Sequence, residues 1–263
     1  MAELPRTVAI VGHGLIGGSI ALALDALASP PMVITVDQDE DLGKTAGADL
    51  VVLAAPISEN LRILSLIPGH LSAGTLITDT GSAKAGIVAA AAQLPPHVRF
   101  IGGHPMAGAA AAGRLAARPD LFAGRRWILT PDSQSRQADL AGLCALVEAI
   151  GAVPHVMDAA EHDRLIAFVS HLPQLTISAL MHVAGEAAGE SGLQLAGSGL
   201  HDSTRLAASP APLWREIVGS NRTNIDAALD ELIAALQRMR NDEGTDRLES
   251  IFTSAARWKE RLG

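Results

Sequence analysis

The chain has 263 residues, 48% hydrophobic and 18% charged, with a formal net charge of −8 and a pI near 5.5. That balance argues against a nucleic-acid surface, and an anionic substrate would need locally placed Arg or Lys. No apolar run reaches the roughly 18 residues a membrane helix needs, so no membrane partner is expected, and the length suits two modest domains with a core each.

The opening residues MAELPRTVAIVG enter a strand pattern at once, leaving no room for a cleaved leader, so a cytoplasmic location is expected. Up to about residue 157, short aliphatic or β-branched runs alternate with longer helical ones, the signature of a parallel sheet covered by helices. Strands are expected at 7–11, 32–36, 50–54, 75–78, 99–102, 127–129 and 153–157. From residue 158 to 263 only helical periodicity remains, in segments such as TNIDAALDELIAALQRMR. The fold class expected is therefore α/β, with a Rossmann-type doubly wound domain over 1–157 and an all-α domain over 158–263. Charged residues of the last two helices lie opposite apolar stripes, which suits packing on a second subunit in a homodimer. The lone Cys144 lies in an apolar helical pattern and reads as an inert core thiol.

The segment TVAIVGHGLIGGS places Gly12, Gly14 and Gly17 as G-x-G-x-x-G after a strand and at the mouth of a helix. The first glycine permits a tight turn, the second lets a pyrophosphate approach the backbone, and the third lets helix and strand pack closely. The helix start, with Leu15 and Ile16, then faces the anion. The next strand ends at Asp37, where an acid accepts hydrogen bonds from a ribose 2′-hydroxyl and repels a 2′-phosphate, so NAD is expected over NADP. His13 reads as a variable position within the motif. Only about a dozen residues separate Asp37 from the next strand, too few for a helix-strand unit, so one strand and one helix of the usual sheet are expected to be missing. Pro56 is expected to turn the chain away at the edge of the cofactor pocket.

Two polar motifs fall at strand ends, where ligands of open parallel sheets gather. In TLITDTGSAK, Asp79 or Ser82 could cap the following helix, whereas Lys84, a cation in the first turn opposed to the helix dipole, suggests a nearby anion and a substrate-binding role. In RFIGGHPMAG, His104 is expected to leave the strand end behind two glycines. There it would act as a general base, oriented by Ser82. No metal-ligating cluster is expected.

Taken in order, GxGLIGGS, DTGSAK, GGHPMAG, HDxxxAFxSHLPQ and STRLAxSPAPLWREI resemble the prephenate and arogenate dehydrogenase family along nearly the whole chain. The resemblance implies hydride transfer to NAD from the ring carbon bearing the hydroxyl, with loss of the ring carboxylate as carbon dioxide and aromatisation. It implies further that His104 accepts the hydroxyl proton, that Ser82 hydrogen-bonds near it, and that His171 and Arg205 hold the substrate. His162 and His171 are nine residues apart, about 180° around a regular helix, so both line one pocket only if Pro173 distorts it. His171 is favoured as the ligand, and His162 is given a packing or capping role with Asp158 or Asp163. Arg205 suits a carboxylate, or alternatively a subunit salt bridge; Arg125 and Arg126 are weaker candidates. Relatives often carry a glutamate where this chain has Ala110, within Ala109 to Ala112, which leaves the choice between prephenate and arogenate open. The end at Gly263 implies no separate regulatory domain. Rival readings are another two-domain dehydrogenase, of the β-hydroxyacid or imine-reductase kind, and an NAD-binding scaffold or sensor without turnover.

Overall fold

Alternation of side chains along the strands decides how the first domain is built. In β1 (Thr7–Val11), Val8 and Ile10 pack with α1 (Leu15–Asp25) and α4 (Gln137–Ala149), while Ala9 and Val11 face α2 (Ile57–Leu66) and α3 (Ala85–Ala91). Both faces are thus covered, which is why β1 and β3 read as continuous aliphatic runs. The computed structural model describes residues 4–108, 113–241 and 247–262. The remaining strands are β2 (Met32–Val36), β3 (Leu50–Leu53), β4 (Leu76–Asp79), β5 (Arg99–Pro105), β6 (Arg126–Thr130) and β7 (Val153–Val156), in the sheet order β2-β1-β3-β4-β5-β6-β7.

Between β2 and β3 lies only a 3-10 turn, Leu42–Thr45, so the expected loss of a strand and helix is met and β2 forms the sheet's rim. One expectation fails: β6 runs antiparallel to β5. A parallel return needs a crossover, usually a helix. The β5–β6 connection has only the 3-10 turn Arg114–Ala116 among its described residues. That pairing also lengthens β5, so His104 lies inside the strand, opposite Ile128, rather than beyond its end. The Ala110 departure falls outside the described residues.

Asp158 opens the helical part, its carboxylate accepting from Ala160 N at 2.8 Å and Glu161 N at 3.1 Å to cap α5 (Ala159–Ile166). A π-helical turn (Ala167–His171) joins α5 to α6 (Leu172–Leu193). Pro173 explains its position: proline supplies no N–H, and its ring crowds the carbonyl four residues earlier, so the turn just upstream is the one that widens. Then follow α7 (Ser198–Thr204), the 3-10 turn Arg205–Ala208, α8 (Ala211–Ser220), α9 (Arg222–Arg240) and α10 (Arg247–Arg261). The stretch Ala159–Leu193 is long and apolar enough, by length and composition, to cross a membrane, which corrects the expectation that no such run exists. Its first turns carry the buried His162 and Asp163, and Ala167 packs into a small core with Ile225 and Ala228 of α9.

Candidate active site

Two adjoining clefts open at the carboxyl ends of the strands. The first, of about 330 Å³, is lined by Gly12, His13, Gly14, Asp37, Gln38 and Glu40, among others. Gly12 has φ +100, and a Cβ there would stand 2.7 Å from the Ala54 carbonyl carbon; a Cβ on Gly17 would stand 1.9 Å from the Gly12 oxygen. Gly14 instead faces open space, with nothing within 4 Å of an added Cβ. No side chain caps α1 at Gly14, so the N–H groups of its first turn, which have no intrahelical acceptor, are available to an anion. This is a cradle that fits a dinucleotide pyrophosphate. Asp37 is held beside it: its backbone N–H donates to Glu40 Oε2 at 2.8 Å, and its Oδ1 accepts from Gln38 N at 2.9 Å. Glu40 is paired with Lys44 Nζ at 2.5 Å, so the Asp37 carboxylate is the one that opposes a 2′-phosphate.

The second cleft, of about 600 Å³, is lined by Leu15, Ile16, Ser82, His104 and Pro105, with Leu213 from α8. Ala54, Ala55, Pro56 and Glu216 belong to both clefts. Pro56 sits at the N-cap of α2 and lines both clefts. Glu216 reaches across from α8: its carboxylate accepts from Ile57 N at 3.1 Å and from Ser58 Oγ at 2.5 Å, capping α2 and tying the helical part to the nucleotide side.

His104 is 8% exposed and lies on the wall of the second cleft. Burial, then the neighbouring His162, Lys84 and His171, hold its imidazole well below the ordinary histidine range, so it is neutral at pH 7. Ser82 shares the cleft wall, but the hydrogen bond that orients His104 comes from His162, whose Nε2 is 2.9 Å from His104 Nδ1. His162 thus keeps Asp163, one of the partners expected for it, but it also reaches His104 instead of only packing or capping. The ring's other nitrogen, Nδ1, meets Asp163 Oδ1 at 2.7 Å. The same carboxylate accepts from Lys84 N at 2.7 Å and Ala85 N at 2.9 Å, so α3 is capped by Asp163 from another helix and not by Asp79 or Ser82.

Lys84 is the clearest departure from expectation. It is fully buried, and its ammonium donates to Asp79 Oδ2 and to the Gly103 carbonyl, the latter at 2.7 Å. The anion implied by its placement is Asp79, which also accepts from Gly81 N at 2.8 Å and Gly103 N at 3.1 Å. Lys84 is therefore part of the scaffold under β5 rather than a substrate ligand.

His171 is buried, and its Nδ1 lies 3.3 Å from Asn221 Nδ2 while its Nε2 has no partner among the described residues. Burial lowers its pKa to about 4, against the pull of Asp163. The π turn brings His162 and His171 toward one side of the helix, although neither is on the wall of the His104 cleft. One extra residue in the turn leaves them about 80° apart instead of 180°. Arg205 is exposed and is not on the wall of the His104 cleft. Gln174 pins its turn by donating to the Leu206 carbonyl at 2.7 Å. Glu216 was not singled out from the sequence, and His162 and Asp163 were paired but not connected to His104; the available signal was an adjacent histidine and acid in a helix whose other charges, Glu161 and Arg164, pair with each other at the surface.

The family models described as prephenate dehydrogenase, nucleotide-binding domain, and prephenate dehydrogenase, dimerization domain, match residues 24–156 and 158–253. The prephenate dehydrogenase of Bacillus subtilis (strain 168) is 30% identical, aligned over 100% of this chain and 77% of its own length. The cyclohexadienyl dehydrogenase of Zymomonas mobilis is 30% identical over 89% of this chain and 87% of its own. Among solved structures, Synechocystis arogenate dehydrogenase superposes with a TM-score of 0.84 at 27% identity, covering 98% of this chain and all of that one. A prephenate dehydrogenase from A. aeolicus, in complex with hydroxyphenyl propionate and NAD+, gives a TM-score of 0.90 over 100% of both chains; at 24% identity this likeness carries the fold. With both of its halves matched and relatives aligned over most of their length, the chain belongs to the prephenate dehydrogenase family.

Proposed function

We propose that this chain catalyses the NAD-dependent oxidative decarboxylation of prephenate or arogenate, a step toward tyrosine, as a cytoplasmic homodimer without nucleic-acid or membrane partners. The observation that carries the reading is a neutral, buried His104 on the wall of a cleft that shares Ala54, Ala55 and Pro56 with the dinucleotide cradle. NAD, when bound, supplies the hydride acceptor. The turn from Gly12 to Gly17 and the start of α1 hold its pyrophosphate, Asp37 takes the ribose hydroxyls, and Pro56 borders the boundary between cofactor and substrate.

His104 accepts the proton of the substrate hydroxyl, a task that needs the imidazole unprotonated at working pH. Ser82 lies on the same wall and hydrogen-bonds the same hydroxyl. The unpartnered Nε2 of His171 is a buried donor suited to a substrate oxygen, since an unmet donor there otherwise costs about 1–3 kcal/mol. Arg205 meets a substrate carboxylate only by an inward swing of its turn, against the Gln174–Leu206 bond. Exposed apolar side chains on the helices, among them Val183 of α6, Leu236 of α9 and Phe252 and Trp258 of α10, support pairing of two copies.

The test is NAD reduction by the purified protein with prephenate and, separately, arogenate. Turnover of either is expected, and His104→Asn should lower kcat by ~10²- to 10⁴-fold with nucleotide binding preserved. Silence with both substrates alongside NAD binding would overturn the reading in favour of a binding protein or another two-domain dehydrogenase.

A further inference from the structure

We propose that His162 and Asp163 are positioning residues that fix the tautomer of His104, leaving the lone pair on its Nε2 to face the substrate cleft. The inference rests on His104 as the base and follows from counting donors along one buried chain. A carboxylate ionised at Asp163 only accepts. It takes the backbone N–H groups of Lys84 and Ala85, which leaves its contact with His162 Nδ1, at 2.7 Å, to be made by a proton on that nitrogen. A neutral His162 with its proton on Nδ1 has a bare Nε2. The 2.9 Å contact to His104 then requires His104 Nδ1 to donate, and the only unprotonated nitrogen left on His104 is Nε2.

The chain has little access to water that could reverse it: His162 is 0% exposed, Asp163 2% and His104 8%. Its far end is rigidly held, because the Asp163 backbone carbonyl accepts from Asn221 Nδ2 at 2.7 Å while its side chain caps α3. The T-shaped contact between the two imidazoles, with centroids 5.1 Å apart, fixes the angle of the His104 ring. When His104 takes the hydroxyl proton on Nε2, it becomes an imidazolium whose Nδ1–H already points at His162. The charge is thereby linked, through one neutral imidazole, to the Asp163 carboxylate. The arrangement has the logic of an acid orienting a catalytic histidine, with one extra ring in between.

The tautomer is directly observable. In the full-length protein with ¹⁵N-labelled histidine, NMR at neutral pH should show His104 protonated on Nδ1 and bare on Nε2, its signals assigned by their loss in His104→Asn. A proton on Nε2 would overturn the proposal. Kinetically, His162→Leu removes the acceptor and should cut kcat by ~10²- to 10⁴-fold with KM little changed. His162→Gln, whose amide oxygen can accept from His104 Nδ1, should restore most of that loss; a Gln variant as poor as Leu would count against an acceptor role. The ring-nitrogen spectrum reads out whether or not either substrate turns over, so this inference and the assigned reaction fail separately.

Discussion

Replacing Lys84 by Met separates a scaffold lysine from a substrate-binding one. The change removes an ammonium that touches Asp79 and the Gly103 carbonyl, both in the interior, while the methionine stem keeps most of the volume. Breaking a buried ion pair by deleting one partner costs about 3–5 kcal/mol, because the remaining charge is left uncompensated. Here Asp79 retains the N–H groups of Gly81 and Gly103, so the lower end, about 3 kcal/mol, is expected. Urea unfolding followed by Trp127, which sits in the core of this domain, is the assay. Combining Lys84→Met with Asp79→Asn should cost less than the sum of the two singles, since the second change relieves the stranded charge; coupling of about 0.5–3 kcal/mol is the expected range. Unchanged stability in Lys84→Met together with a tenfold rise in substrate KM would refute the reasoning and return Lys84 to the cleft.

The acid side of the pH profile follows from two depressed histidines. His104 is held well below 6.5 and His171 at about 4, so both are neutral in the folded chain where the unfolded chain is already protonated. The unfolded state then binds more protons, so stability is complete above pH 6.5 and falls as pH drops from there toward about 4. Urea midpoints at a series of pH values check this, and a flat series would contradict it. The acid limb of kcat/KM should likewise lie below 6.5. Asp37→Asn should raise the ratio of kcat/KM for NADP over NAD by removing the carboxylate at the ribose rim that Lys44 does not pair, as measured by initial rates. Gly17→Ala drives a methyl into the Gly12 carbonyl and should weaken NAD binding at least ~10-fold by calorimetry.

The strands β1 and β2 were legible to the residue because their hydrophobic pattern is local, and the truncation after Asp37 was legible because it is a matter of counting. His104 could be singled out but not placed: whether it ends a strand or sits within one depends on β6, whose antiparallel pairing is a property of the connection. Lys84 was misread for a related reason. Its helix position correctly signalled a nearby anion, but Asp79 reaches it by a side-chain path through the interior that spacing does not reveal. His162 was lost to an assumption of ideal helical phase, which one wide turn upstream of Pro173 invalidates.

The bare rim at β2 changes how a dinucleotide is gripped. With only the 3-10 turn Leu42–Thr45 beyond it, the adenosine end would lie between Leu42 on one side and Glu59, Arg62 and Ile63 of α2 on the other, and the glycine turn and the start of α1 would hold the middle of the molecule. Such a ligand is held by its waist. A mononucleotide lacking the diphosphate bridge should then make a poor competitor. The short connection after β2 would leave the adenine ring fewer contacts there than a full strand and helix would give.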